Sequence, residues 1–155
     1  MIQPMDDIDR IMAVMHSAFA PEYGEAWTRG QLEGALMAGH CRYELIGADG
    51  LPPAEDAPAP GFALVRQLFE DSELLLFAVD RAHQGRGLGA ALLRHTLAQA
   101  RARGAERMML EMRLGNPAER LYLAHGFKAV GMRPQYYRTP SGQRLDAVTM
   151  ERRLD

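Results

Sequence analysis

Apolar and polar positions repeat along this chain with two different periods, and the switches between them mark its elements. In residues 6–19, Ile8, Ile11, Met12, Met15 and Phe19 fall at helical spacing and predict an amphipathic helix. Residues 21–25 read as a turn. Residues 28–37 predict a second helix with Leu32, Leu36 and Met37 facing inward, and Thr28 and Gln31 have capping-box spacing, which satisfies two orphan backbone donors at a helix start. Short runs follow: residues 41–46, 62–68 and 73–80 predict strands, with Glu70-Asp71-Ser72 as the hairpin turn between the last two. Within the third run, Leu74-Leu75-Leu76-Phe77-Ala78-Val79 is bounded by charge, is too short for a membrane span and suits a strand buried on both faces. From 88 to 103 there is no proline and the helical period returns. Gly89, Leu93, Leu97 and Ala100 share a face, Arg94, Gln99, Arg101 and Arg103 lie mostly away from it, and Gly104 supplies a left-handed stop. Residues 107–113 predict a strand, 117–125 a short helix with Pro117 in its first turn and Gly126 past its end, and 127–132 and 145–151 the last two strands.

Residues 49–60 contain four prolines and fit neither a helix nor a central strand. They read as an exposed loop, since a domain linker would need a second core on one side. The predicted order is two helices, three strands, helix, strand, helix and two strands. That order makes residues 1–155 a single α/β domain with helices on both faces of a mixed sheet.

Composition narrows the picture. Hydrophobic residues at 47% and charged residues at 25% are those of an ordinary folded domain. A net charge of -2 without a large basic patch argues against nucleic acid as the main partner, although arginines gather near the C-terminus. Cys41 is the only cysteine, so no intrachain disulfide and no cysteine-based zinc site can form, and the five histidines lack metal-ligand spacing. No metal is expected. Met1-Ile2-Gln3-Pro4-Met5-Asp6-Asp7 lacks the pattern of a signal peptide, so the expectation is a cytoplasmic protein with no membrane partner. The methionines read as core filler, and the edge strands of a small sheet offer a surface for a homodimer.

The chemistry concentrates at Gln84-Gly85-Arg86-Gly87-Leu88-Gly89, between a strand and a helix. Such a turn presents several backbone N–H groups at one point, and the helix macrodipole adds partial positive charge there. The site therefore suits a phosphate or pyrophosphate. A tight turn with no ligand is the bland reading, against which stand three glycines in five residues. Gly85-x-Gly87-x-x-Ala90 with a later Glu111 also imitates the dinucleotide fingerprint, but three strands and two helices precede it and few βαβ units follow. A non-catalytic acyl-CoA-binding module is a third reading. It predicts cofactor binding without turnover.

With Gln84, Gly87 and Gly89 placed after Phe77-Ala78-Val79-Asp80, and with Leu121-Tyr122 followed by Gly126-Phe127, the chain resembles the GNAT superfamily of acyl-CoA-dependent N-acetyltransferases along almost its whole length. Leu110-Glu111-Met112-Arg113, Tyr136-Tyr137, Asp146-Ala147 and Met150 are most similar to the RimI type, which acetylates the N-terminal amine of a ribosomal protein. The resemblance implies a GNAT-like, mixed and mostly antiparallel sheet. It also implies acetyl-CoA as co-substrate and an amine acceptor, either a protein N-terminus or a small molecule or amino acid.

The resemblance also implies roles. The amides of Gly85, Arg86, Gly87, Leu88, Gly89 and Ala90 would hold the pyrophosphate, with Gln84 opening the motif and Arg86 adding charge. The pantetheine arm would lie along Phe77, Ala78 and Val79, with the Val79 N–H aimed at the thioester oxygen. Glu111 would be the general base, because an amine attacks only when neutral. On its residues alone Glu111 reads equally as a solvent-facing glutamate paired with Arg107 or Arg113. Tyr122 would be the general acid for the leaving thiolate; its plain reading is a core-packed ring. In the RimI pattern a cofactor-binding asparagine lies seven residues before that tyrosine. Here Gly115 holds that position and Asn116 follows, so either the loop is one residue shorter or Asn116 has another role. Tyr136 and Tyr137 either line the acceptor groove or face opposite ways from one strand, Trp27 reads as a core anchor, and His83 as a solvated loop residue.

Overall fold

The computed structural model describes residues 6–155; the expectation drawn from residues 1–5 lies outside the described residues. The α-helices are α1 (Asp7–Ala18), α2 (Arg29–Met37), α3 (Leu88–Ala102) and α4 (Glu119–Ala124). The strands are β1 (Cys41–Ile46), β2 (Gly61–Leu68), β3 (Asp71–Val79), β4 (Arg107–Arg113), β5 (Lys128–Arg138) and β6 (Arg144–Arg153). They form one six-stranded sheet in the order β1-β2-β3-β4-β6-β5. Among the described residues β3 and β4 are the one parallel pair, and every other neighbour is antiparallel. A doubly wound dinucleotide fold needs a run of parallel strands, so this topology removes that reading.

The helices form where their patterns and caps place them. The Asp6 carboxylate accepts the Asp9 N–H at the start of α1. Thr28 and Gln31 close the expected capping box on α2, Thr28 Oγ1 accepting the Gln31 N–H and Gln31 Oε1 accepting the Thr28 N–H. On one face of the sheet Ile11, Met15 and Leu32 pack with Phe62, Leu64 and Leu76. On the other, Leu92, Leu93, Leu97 and Ala100 of α3 pack with Val65, Leu74, Met108, Leu110 and Met150. Truncating any of the fully buried aliphatic side chains would cost roughly 2–5 kcal/mol. The helices cover the sheet unevenly. On its face α1 packs on β2 and β3, and α2 on β1.

Four local expectations change. The β2–β3 turn is Phe69 and Glu70, because Asp71 and Ser72 already pair with Leu68 and Gln67. Phe69 takes the left-handed conformation (φ 56°) and is 88% exposed, a combination unusual enough for an aromatic that the local pattern concealed it. Met37 is 87% exposed at the last turn of α2, while Leu32 does the anchoring. β5 continues to Arg138 and is exposed along most of its length, so both tyrosines belong to it. Residues 49–60 do form a loop, but it is tied down: the buried Arg10 guanidinium donates to the Ala54 and Ala57 carbonyls at 3.0 and 2.8 Å, and Ala59 and Pro60 are buried at its end.

Candidate active site

The site begins with one extra residue. Along β3 the partners on β2 jump from Leu76 opposite Leu64 to Leu74 opposite Val65, so Leu75 is a β-bulge. The bulge reverses the faces. Leu74 belongs to the core under α3, whereas Leu76 and Ala78 belong to the core under α1. It also coincides with the end of sheet pairing, since β3 and β4 are in register only from Asp71 opposite Arg107 to Leu74 opposite Leu110. Beyond that point the parallel strands part. Asp80 N–H donates to the Pro60 carbonyl at 2.7 Å, which makes Gly61 and Val79 a non-hydrogen-bonded pair. The backbone groups of Phe77 and Val79 therefore point away from β2 into the gap, while those of Ala78 point to β2.

The glycine turn closes one end of the gap. Gly85 and Gly87 have φ of 79° and 80°, and Gly87 is the N-cap of α3. A Cβ at either position would meet nothing within 4 Å, so backbone conformation and not crowding calls for glycine there. The N–H groups of residues 85–90 have no acceptor among the described residues. They are the orphan donors of a helix start, gathered in one place. Gln84 folds its side chain back, and Nε2 donates to the Val79 carbonyl at 2.9 Å. Arg86 is exposed beside the turn, and the side chain of Leu88 is buried beneath it.

Two cavities meet in the gap. One, of about 740 Å³, runs from Gln84, Gly85 and Gly89 past Val79 and Ala78. The other, of about 360 Å³, is lined by Leu75, Glu111, Trp27 and Tyr137 among others. Phe19, Glu25, Phe77, Asn116 and Tyr122 line both and form a waist between them. β4 turns Met108, Leu110 and Met112 into the α3 core and leaves Glu111 on the opposite face. Tyr122 sits in that core, its ring edge-on to Phe77 and Phe127 with centroids 6.0 and 5.7 Å away. Glu111 and Tyr122 reach the same cavity from the two sides of the sheet, through the gap.

The electrostatics separate the two. Burial, reinforced by the Glu25 carboxylate, pushes the Tyr122 phenol well above its usual range, so it keeps its proton. Burial pushes Tyr137 up to about 12, with the Glu111 and Glu25 carboxylates adding to it. Glu111 pairs with neither of its expected arginines. Arg107 binds Asp71 and Glu151, Arg113 binds Glu25, and the nearest cation to Glu111 is Arg133, whose Nε lies 3.6 Å from Oε2. Asn116 Oδ1 accepts the Ala118 N–H at 2.9 Å and caps the turn into α4, which leaves its amide N–H groups without a partner among the described residues. Of the two adjacent tyrosines, Tyr137 lines the smaller cavity and Tyr136 is exposed. Trp27 serves both readings, packing partly on the α1 core and lining that cavity.

The waist also holds Glu25, which local pattern does not single out. Arg113 Nε donates to Glu25 at 3.1 Å, and its guanidinium lies 3.6 Å above the Tyr23 ring. This clasp fastens the α1–α2 connection over the end of β4. Glu25 looks like a solvated turn residue in the sequence, and its partner is 88 positions away. Only the long-range contact reveals it.

A mixed six-stranded sheet opened between its parallel strands, with a glycine turn and a helix N-terminus at one end of the opening, defines an acyltransferase-type α/β fold. The chain belongs to the acetyltransferase (GNAT) family, whose profile matches residues 15–127. A Haemophilus influenzae protein named [ribosomal protein bS18]-alanine N-acetyltransferase is 37% identical over 90 residues, 58% of this chain and 62% of that one. The chain thus spans about three fifths of that relative's length. A Bacillus subtilis relative that carries the same name provisionally is 27% identical over 148 residues, 94% of this chain and 89% of that one. The crystal structure of the Escherichia coli ribosomal-protein-S18-alanine N-acetyltransferase superposes with a TM-score of 0.77 at 25% identity, covering 100% of this chain and 94% of that one. A Salmonella typhimurium acetyltransferase-fold structure, solved with its cofactor acetyl-CoA, superposes with a TM-score of 0.70 at 22% identity over 97% of this chain and 92% of that one.

Proposed function

We propose that this protein is an acetyl-CoA-dependent N-acetyltransferase whose acceptor is the N-terminal amine of a protein, as the names of its bacterial relatives suggest for them. The observation that carries the reading is the continuous opening from the unpartnered N–H groups at residues 85–90, along the free edge of β3, to Glu111 and Tyr122. The groove fits a long donor with an anionic head: orphan N–H groups at a helix start bind diphosphate, and a strand edge binds an amide-bearing arm. Bound acetyl-CoA supplies an activated thioester and a thiol leaving group. Phe77 lines both cavities and Val79 only the larger one, so the Phe77 N–H would face the thioester oxygen, the place first expected for Val79, and the Val79 N–H would hold the arm further back.

Glu111 takes a proton from the acceptor ammonium, directly or through water, and frees its lone pair. The amine nitrogen then bonds to the carbonyl carbon as the C–S bond breaks. Tyr122 gives its proton to the departing sulfur, and the surplus proton on the newly bonded nitrogen passes through water to the phenolate, leaving a neutral amide and a free thiol. No side chain is acylated, and Cys41 on β1 lies outside the cavity walls. Tyr122→Phe is expected to slow transfer by about a hundredfold while leaving acetyl-CoA affinity and Tm near wild type, because the ring contacts persist. Single-turnover rates with calorimetric affinities check this. If affinity collapses while transfer holds, the hydroxyl is a cofactor contact.

The function is tested by coenzyme A release over a panel of peptides, amino acids and small amines. Release is expected above the acceptor-free rate for peptides with a free N-terminus. A rate that no amine raises would leave the groove as a binding module without turnover, and the best substrates would be small amines if the acceptor class is wrong.

A further inference from the structure

Near the transfer site β5 carries more residues than the strand it pairs with. Between Arg133 opposite Ala147 and Tyr137 opposite Leu145, β5 advances four positions (133 to 137) while β6 advances two (147 to 145). Pro134, Gln135 and Tyr136 therefore stand against Asp146 alone, in a wide β-bulge. Two surplus residues preserve the alternation of faces, so Arg133 and Tyr137 both look to the Glu111 side of the sheet. They also draw Tyr137 back along the strand by two residue steps, about 7 Å. In regular pairing Tyr137 would fall opposite Gln143, before the start of β6. Instead it lines the smaller cavity with Glu111, Glu25 and Tyr122. We propose that Asp146 is a positioning residue for acetyl transfer: its carboxylate holds this bulge and thereby sets Tyr137 in the acceptor wall. The inference rests on the transferase reading and deepens it.

The first argument is that the bulge is held at one point. Gln135 takes φ 53°, in the left-handed region that a non-glycine residue seldom adopts. Its N–H donates to Asp146 Oδ1 at 2.8 Å, so a side chain supplies the acceptor that a cross-strand carbonyl supplies in a regular ladder. Asp146 is itself fixed from the other side. Its carbonyl accepts the Leu114 N–H at 2.8 Å, one residue past the end of β4. One residue thus ties the strand that carries Glu111 to the segment that carries Tyr137. Within the bulge the side chains brace one another. The Arg133 guanidinium lies 4.9 Å from the Tyr136 ring centroid, and Tyr136 stands edge-on to Tyr137 with centroids 5.5 Å apart. The second argument is that the core does not call for this irregularity. Pro134, Gln135 and Tyr136 are all exposed and fill no space between sheet and helix. An uncommon backbone conformation, kept by a dedicated hydrogen bond beside a reaction site, is the pattern in which local strain serves function.

The test is steady-state kinetics of the full chain with acetyl-CoA and one alanine-initiated peptide amide, beside calorimetric affinity for coenzyme A. Asp146→Ala is expected to lower kcat/KM for the acceptor at least about tenfold, because a displaced wall residue misplaces the attacking amine. Coenzyme A affinity is expected to stay near wild type, since no β5 or β6 residue lines the larger cavity. Asp146→Asn keeps an oxygen that accepts the Gln135 N–H and is expected to restore most of the loss. In a Tyr137→Ala background Asp146→Ala is expected to cost little more, because two changes that act through one contact do not add. If Asp146→Ala folds poorly, Gln135→Pro removes the same bond from the donor side. It does so at an exposed position of an edge strand, where proline is tolerated, and is expected to give the same loss. Unchanged acceptor kinetics in these variants overturn the proposal. So does a loss that persists in full in the Tyr137→Ala background, or one matched by a fall in coenzyme A affinity. Each of these results leaves the transferase reading standing. Absence of turnover by the wild-type protein with every amine overturns that reading and the positioning role with it.

Discussion

Glu111→Gln is expected to lower kcat/KM for a peptide acceptor by about a hundredfold or more, the scale of a positioned general base. The substitution keeps the side chain's size and its position on β4, so the Met108, Leu110 and Met112 contacts that hold the strand are undisturbed. What it removes is the acceptor for the ammonium proton. At low pH nearly all of the acceptor is protonated and the enzyme must strip the proton itself, so the loss is largest there; at high pH free amine is supplied by solvent and the gap narrows. The Arg133 guanidinium loses its ion-pair partner in the variant, a surface contact worth little in stability because Arg133 is mostly exposed. The measurement is the pH–rate profile of both proteins with one peptide. A profile of unchanged shape and height would take Glu111 out of the reaction.

Gly87→Val is expected to weaken acetyl-CoA binding by about a hundredfold while the fold survives. The residue sits at φ 80°, where a β-branched side chain costs at least about 1–2 kcal/mol. Within the protein itself there is room, since a Cβ meets nothing within 4 Å. The harm falls on the ligand. The new side chain stands beside the Leu88, Gly89 and Ala90 N–H groups, and any relief of strain turns those donors away. Calorimetry against coenzyme A, beside a Tm measurement, separates the two effects. Loss of affinity with only a modest drop in Tm is the expected pattern. Retained affinity would mean that the diphosphate is held elsewhere.

Much of this fold was legible because its signals are local. The capping box at Thr28 and Gln31, the stripe from Ile8 to Phe19 and the left-handed stop at Gly104 are short-range patterns, and the structure contains each of them. The glycine turn was legible for the same reason. The missed features are those in which distance along the chain hides a contact. Nothing near Glu25 points to Arg113, and nothing in Leu74-Leu75-Leu76 says that the middle residue is the extra one. Phe69 does not read as a turn residue because aromatic side chains rarely take positive φ, and Met37 reads as inward-facing because an apolar residue in helical register usually finds a core. Glu111 stands out as a candidate in the sequence, but its neighbour Arg133 comes from β5, a strand whose mixed pattern hides its full length.

The parting of β3 from β4 makes the sheet a partition with a single window. On the proposed reading the thioester carrier and its recipient would reach that window through the two separate cavities, and neither would block the other's doorway. Each can therefore arrive while the other is in place, and spent carrier can be exchanged without first evicting a long polypeptide. A protein organised this way has no need to store the travelling group on itself between visits, and the window needs to be only as wide as the bond being made.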